Sequence, residues 1–190
     1  WRNTIVNTRA YGKDPELVIK NAKAYVRGVR ESGLAVCCKH FPGDGIEELD
    51  QHLVMGVNTM ECDEWDSTFG HVYKEMIDSG IQSIMAGHIA LPEYSRKLRP
   101  GIKDEDIMPA TLAPELITDL LRGKLGFNGL VLTDASHMAG MTAAMPRSQQ
   151  VPGAIAAGCD MFLFFNDIEE DFGYMMDGYR NGIIREERLT

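Results

Sequence analysis

The chain has 190 residues, 44% of them hydrophobic and 25% charged, with a net charge of −9. That length suffices for one domain with a sizeable core, and the acidic balance with no basic stripe argues against a nucleic-acid partner. No apolar run approaches the roughly 18 residues of a membrane span, and the four cysteines (Cys37, Cys38, Cys62, Cys159) follow no zinc-binding spacing.

In chain order, Asp14 before Pro15 reads as an N-cap followed by proline at the first helical position. Val18, Ala22, Tyr25, Val26 and Val29 then recur at helical spacing up to Gly33. Leu34 to Cys38 is an apolar strand, with vicinal Cys37 and Cys38 on opposite faces and the thiols reduced and packed. It opens into Lys39-His40-Phe41-Pro42-Gly43-Asp44-Gly45, with Asp50-Gln51-His52 close behind. Trp65, Phe69, Val72, Tyr73 and Met76 mark a second helix that stops at Gly80. Ile81 to Ala86 is the next strand, ending at Gly87-His88, and residues 89–110 read as a long polar connection. A third helix covers Leu112 to Leu125, with Gly126 as its stop. Leu130 to Thr133 is a third strand ending on Asp134, a short helix covers Gln149 to Ala157, and Met161 to Phe165 is a fourth strand. An amphipathic segment from Glu169 to Tyr179 closes the pattern.

Helices and strands thus alternate with a period of roughly 40 residues, the signature of βα units. The strands are continuously apolar, which predicts a parallel sheet covered by helices on both faces. Each polar cluster falls at a strand's C-terminal end, where (β/α)₈ barrels carry their catalytic groups. A barrel needs eight strands and four are visible, so the α/β chain reads as the C-terminal half of a TIM-type barrel, a single partial domain over residues 1–190. The start at Trp1-Arg2-Asn3, without Met, suggests a piece of a longer polypeptide whose upstream signal stays an open question.

Two chemical constellations stand out. Asp50 and His52 lie two apart in a loop, so their side chains can converge. A carboxylate on one ring nitrogen fixes the imidazole tautomer and leaves the other for proton transfer. The bland alternative is a solvated histidine beside a turn-forming aspartate. Asp134 at a strand end could attack a sugar carbon, or could cap the following turn.

Together the motifs are more specific. Lys-His-Phe-Pro-Gly-x-Gly, then Asp-x-His, then Ala-Gly-His, then Leu-Gly-Phe-x-Gly-x-Val-x-Thr-Asp resembles glycoside hydrolase family 3, in its bacterial β-N-acetylglucosaminidase branch. Arg9-Ala10-Tyr11-Gly12-x-Asp14-Pro15 upstream and Ala157-Gly158-Cys159-Asp160 downstream match the same order. The resemblance implies a retaining glycosidase with Asp134 as nucleophile and His52, held by Asp50, as general acid/base. Most retaining enzymes use two carboxyl groups about 5–5.5 Å apart; a His–Asp pair in place of one marks this branch. Arg9, Lys39 and His40 match positions that bind sugar hydroxyls, and His88 matches a strand-end histidine at the substrate site for which a supporting role is favoured.

The chain departs from the pattern at Asp44, where the branch often carries histidine, and at Ala135, where a second acid is common. The family's earliest strands, with an aspartate that binds sugar hydroxyls, lie upstream of Trp1. The expected substrate is a terminal β-linked N-acetylglucosaminide, plausibly of peptidoglycan, handled in the cytoplasm without cofactor or metal. Phosphorolysis of the same bond is the alternative, because a histidine repels phosphate less than a glutamate does. For the isolated piece, a further alternative is an inactive half-barrel that self-associates or pairs with the missing half.

Overall fold

The computed structural model describes residues 2–189. Among these described residues are six strands: β1 Cys37–Phe41, β2 Gly56–Val57, β3 Ser83–Ala86, β4 Ile89–Ala90, β5 Leu130–Ala135 and β6 Met161–Leu163. The main sheet has order β1-β3-β5-β6 with every neighbour parallel, while β2 and β4 pair separately at the strand-end side. Helices α1 Pro15–Glu31, α2 Cys62–Trp65, α3 His71–Asp78, α4 Pro92–Leu98, α5 Ala139–Thr142, α6 Arg147–Ala157 and α7 Ile168–Arg180 make the connections. A π-helical stretch, Asp66–Gly70, joins α2 to α3, and another, Glu115–Lys124, precedes β5. The parallel α/β sheet expected from the sequence is the architecture found.

The local signals act as their chemistry dictates. Asp14 Oδ1 accepts from the backbone N–H of Glu16 (2.9 Å) and Leu17 (3.2 Å), with Pro15 opening α1. Gly126, in the left-handed region at φ 76°, turns the chain out of the π-helix toward β5. Under the sheet sits an aromatic group, Phe41 with Trp65 and Tyr73, then Trp65 with Tyr94, all edge-to-face at centroid separations of 5.1–6.3 Å. Ile84, Leu116, Leu120 and Val131 complete this fully buried layer.

Only one face of the sheet is covered, which corrects the expectation of helices on both faces. Ile84, Ala86, Val131 and Thr133 are 0% exposed beneath the helices. Lys39, Met85, Leu132 and Met161 form one registered row on the other side, and along that face Cys37, Leu130 and Met161 are exposed. An open face of this kind is what the inside of a barrel presents when only half its staves are there. Cys37 is therefore not packed; all four thiols are free.

Several boundaries move. The first strand runs Cys37–Phe41 rather than 34–38, because pairing begins where Cys37 meets Ser83, and Leu34 is left 63% exposed. The last stops at Leu163, with Phe164 and Phe165 turned outward. Residues 89–110 are not a polar connection: they hold β4 and α4, and Ile89, Leu91 and Tyr94 are buried.

Candidate active site

The site is built from two breaks in sheet register. Lys39 pairs with Met85 and Phe41 with Ala86, so β1 carries one extra residue at His40. Between β5 and β6 the register shifts between Leu132 and Ala135, the stretch that holds Asp134. A bulge re-aims a side chain that strict alternation would send to the covered face. As a result His40 Nε2 lies 3.6 Å from Asp134 Oδ2, with His40 6% and Asp134 16% exposed in their side chains. Asp134 Oδ1 also accepts from the N–H of Ala135 at 2.8 Å, which limits its rotation.

Behind His40 the loop is tightly held. Trp65 Nε1 donates to the Pro42 carbonyl (2.7 Å) and Asn58 Nδ2 to that of Gly43 (3.2 Å). Gly43 has φ 135° and no room for a side chain, since a Cβ would meet the Phe69 ring at 2.5 Å. Asp44, 3% exposed, is an internal hub. It accepts from Asn3 Nδ2 (3.3 Å) and Gln51 Nε2 (3.0 Å), and lies 2.9 Å from His40 Nδ1, out of line for a hydrogen bond. The departure at Asp44 thus ties three chain segments together.

The Asp50–His52 pair forms as the spacing predicts. Asp50 Oδ1 lies 2.6 Å from His52 Nδ1 and accepts from the His52 N–H at 2.8 Å. The backbone N–H, more than the ring, holds the Asp50 carboxyl below the usual carboxylate range. With Nδ1 engaged by the carboxylate and the side chain 55% exposed, Nε2 is the nitrogen available for proton transfer. Its loop is fastened to the segment after Asp134: Ala139 N–H donates to the His52 carbonyl (3.0 Å) and Gly140 N–H to that of Gln51 (3.1 Å).

His88 is wholly buried. Nε2 lies 2.9 Å from the Ala135 carbonyl and Nδ1 2.9 Å from Thr111 Oγ1. A carbonyl only accepts, so Nε2 carries the proton and Thr111 donates to Nδ1. Burial pushes the His88 pKa down, which suits the neutral ring. Its backbone N–H reaches Gln51 Oε1 at 3.1 Å. Lys39 is exposed on the open face near Cys37; Arg9 sits in the exposed turn near the start, its side chain bonded to none of the described residues. Among the described residues no group of three or more His, Cys, Asp or Glu side chains is placed to hold a metal.

Gln51, Thr111, Asn3 and Gly140 had no role in the sequence reading. Only Gln51 carried a signal, standing between Asp50 and His52. Glu47 is also unforeseen: both carboxyl oxygens are buried without a partner, and burial, aided by Asp44, pushes its pKa up to about 7.

The chain is similar to several known proteins in sequence and in fold. A β-N-acetylglucosaminidase/β-glucosidase of Cellulomonas fimi is 54% identical over 189 residues, covering 100% of this chain and 34% of the relative. A β-hexosaminidase of Chromobacterium violaceum is 32% identical over 169 residues, covering 89% of the chain and 44% of the relative. Among solved structures, the β-glucoside phosphorylase BglX superposes with TM-score 0.97 at 45% identity, over 99% of this chain and 34% of that one. A family 3 β-N-acetylglucosaminidase from Paenibacillus sp. str. FPU-7 gives 0.88 at 29% identity, over 99% and 35%. The chain therefore spans between a third and a half of the length of these relatives. No helix among the described residues is long and apolar enough to cross a membrane. Residues 1–190 match the glycosyl hydrolase family 3 N terminal domain throughout, a TIM-barrel-type domain, and the chain belongs to that family.

Proposed function

We propose that the full-length protein is a retaining glycosidase acting on terminal β-linked N-acetylglucosaminides. Asp134 attacks the anomeric carbon and forms a covalent glycosyl-enzyme, while His52 Nε2–H protonates the departing oxygen. In the second step His52 takes a proton from the incoming acceptor, so that acid and base are the same imidazole. Asp50 keeps the tautomer and stabilises the imidazolium that forms. Lys39, His40 and Arg9 bind the sugar's hydroxyls; His88 acts through the backbone it holds, fixing Ala135 beside the nucleophile.

The observation that carries this reading is the fastening of the Asp50–His52 loop to Ala139 and Gly140, which follow the nucleophile on the same short segment. It brings a carboxylate on a strand end and a carboxylate-bound imidazole to one rim. The test is kinetic: Asp134→Asn abolishes turnover of an aryl N-acetylglucosaminide, and His52→Ala slows it by about 10²–10⁴-fold. Near-normal turnover by either variant rejects the mechanism.

A second reading is that phosphate, rather than water, releases the glycosyl-enzyme. Two observations favour it: the acid/base is an imidazole, which repels phosphate less than a carboxylate would, and a phosphorylase is among the similar solved structures. Sugar 1-phosphate formed on adding phosphate supports it; free sugar alone excludes it. Peptidoglycan fragments as substrate and a cytoplasmic place of action belong to the same proposal. We also assign the chain to a single partial domain, completed by the missing strands.

A further inference from the structure

Asp50-Gln51-His52 divides its side chains between two sides of the loop. Asp50 and His52 meet on the solvent side, whereas Gln51 is 2% exposed and is the only buried residue across 48–55. Its side-chain amide spans two neighbours: Nε2 donates to Asp44 Oδ2 (3.0 Å), and Oε1 accepts from the His88 N–H (3.1 Å). A carboxylate accepts and a backbone N–H donates, so the amide fits in one orientation only. The Gln51 carbonyl accepts in turn from the Gly140 N–H (3.1 Å). One residue is thereby held by the loop after β1, the end of β3 and the segment after β5.

Those three segments carry His40, His88 and Asp134. His52, by contrast, has its ring tied to Asp50 alone among the described residues, a partner in its own loop. The place of the imidazole relative to Asp134 is therefore set through the backbone, and Gln51 is the neighbouring residue pinned on three sides. Space around the amide is closed: a Cβ on Gly87 would lie 3.4 Å from Gln51 Oε1 and 3.0 Å from His40 Cβ. Without the amide, the His88 N–H and an Asp44 oxygen each lose a buried partner, which favours a shift of the loop to regain one.

We propose that Gln51 is the positioning residue of the acid/base pair: its amide, wedged between Asp44 and the His88 N–H, sets where His52 delivers its proton, and touches no reacting atom. The proposal rests on the acid/base role given to His52 above. It also gives the departure at Asp44 a purpose in the site. The same Asp44 Oδ2 that receives Gln51 lies 2.9 Å from His40 Nδ1, so one carboxylate borders both the histidine beside the nucleophile and the pin of the proton donor's loop.

The test uses the full-length protein with Gln51→Met, which fills the same space without the amide, and two substrates: the phenyl and dinitrophenyl N-acetylglucosaminides. Only the phenyl leaving group needs the proton, and for a two-step enzyme kcat/KM reports the step in which the leaving group departs. Expected is a fall of about 10–100-fold in kcat/KM on the phenyl glycoside, and within about threefold on the dinitrophenyl glycoside. Because Gln51 acts through His52, adding Gln51→Met to His52→Ala changes the phenyl rate by less than about threefold. A residue that only supports the fold lowers both substrates together, so an unchanged phenyl-to-dinitrophenyl ratio in Gln51→Met overturns the proposal. So does a further fall of tenfold or more on the phenyl glycoside in the double variant. Should Gln51→Met not fold, Gln51→Ser, too short to reach both partners, gives the same reading. A wild-type enzyme that cleaves neither substrate, or a His52→Ala variant with the wild-type ratio, rejects the function itself, a result distinct from an unchanged ratio in Gln51→Met.

Discussion

Gly140→Ala is the substitution that most directly probes how the acid/base loop is held. A Cβ at Gly140 would lie 2.8 Å from the Gln51 carbonyl, 2.9 Å from His88 Cβ and 3.2 Å from the Val54 carbonyl. Two of those three neighbours are backbone oxygens, which have no rotamer to escape into. Ordinary contact needs about 3.4 Å or more, so the loop must retreat by roughly half an ångström. That retreat strains or breaks the bonds from Ala139 and Gly140 to the His52 and Gln51 carbonyls, each worth about 0.5–1.5 kcal/mol. Misplacement of a catalytic group by about 1 Å can cost about 10²-fold. Expected for the full-length variant is a fall of about 10–100-fold in kcat/KM on a phenyl N-acetylglucosaminide, whose leaving group needs the proton. On a dinitrophenyl glycoside, which leaves without it, the fall is within about threefold. Wild-type rates on the phenyl glycoside, or an equal fall on both substrates, refute the claim that this contact positions His52.

Three further outcomes follow from other contacts. Thr111→Val leaves His88 Nδ1 buried without a partner and should lower unfolding free energy by about 1–3 kcal/mol in urea melts; an unchanged midpoint would mean that the bond carries no weight. Glu47 has a raised folded pKa of about 7, so the stability it contributes is fully present below its unfolded value, about 4.5, and is lost as pH rises through about 7. Glu47→Gln should therefore flatten the decline in urea midpoint between about pH 5 and pH 8; a decline as steep as wild type excludes Glu47 as its source. The 190-residue chain alone, with β1 and β6 as open edges and an uncovered sheet face, should self-associate or bind the missing strands, and should turn over substrate poorly. A monodisperse, fully active monomer in size-exclusion chromatography would contradict this.

What could be read beforehand was whatever is written locally. The N-cap at Asp14-Pro15, the apolar run ending on Asp134 and the Asp50–His52 spacing each need only a few neighbouring residues to specify them. Apolarity alone starts the first strand three residues early, because Leu34 to Val36 are as apolar as a strand and only the pairing partner Ser83 decides where the ladder starts. Residues 89–110 hid a helix whose sequence signal was present, Pro92 at its first position and buried Tyr94 on its inner face, beneath a polar average.

The site was less legible than the fold. Lys39 and His40 are adjacent, so simple alternation would put only one of them on the open face; the extra residue in β1 turns His40 to the rim, and no local pattern announces it. Gln51 and Thr111 matter through partners 7–37 residues away, Asp44 and His88, that spacing cannot reveal. Gly140 matters through an approach of two loops that exists only once the barrel rim is assembled.

The central claim is that Asp134 becomes covalently glycosylated. Full-length protein incubated with an activated 2-deoxy-2-fluoro glycoside, digested and sequenced by mass spectrometry, should carry one sugar on the peptide containing Asp134, and Asp134→Asn should carry none. A sugar on a different carboxylate, or sustained turnover with no adduct and with Asp134→Asn still active, would contradict the account.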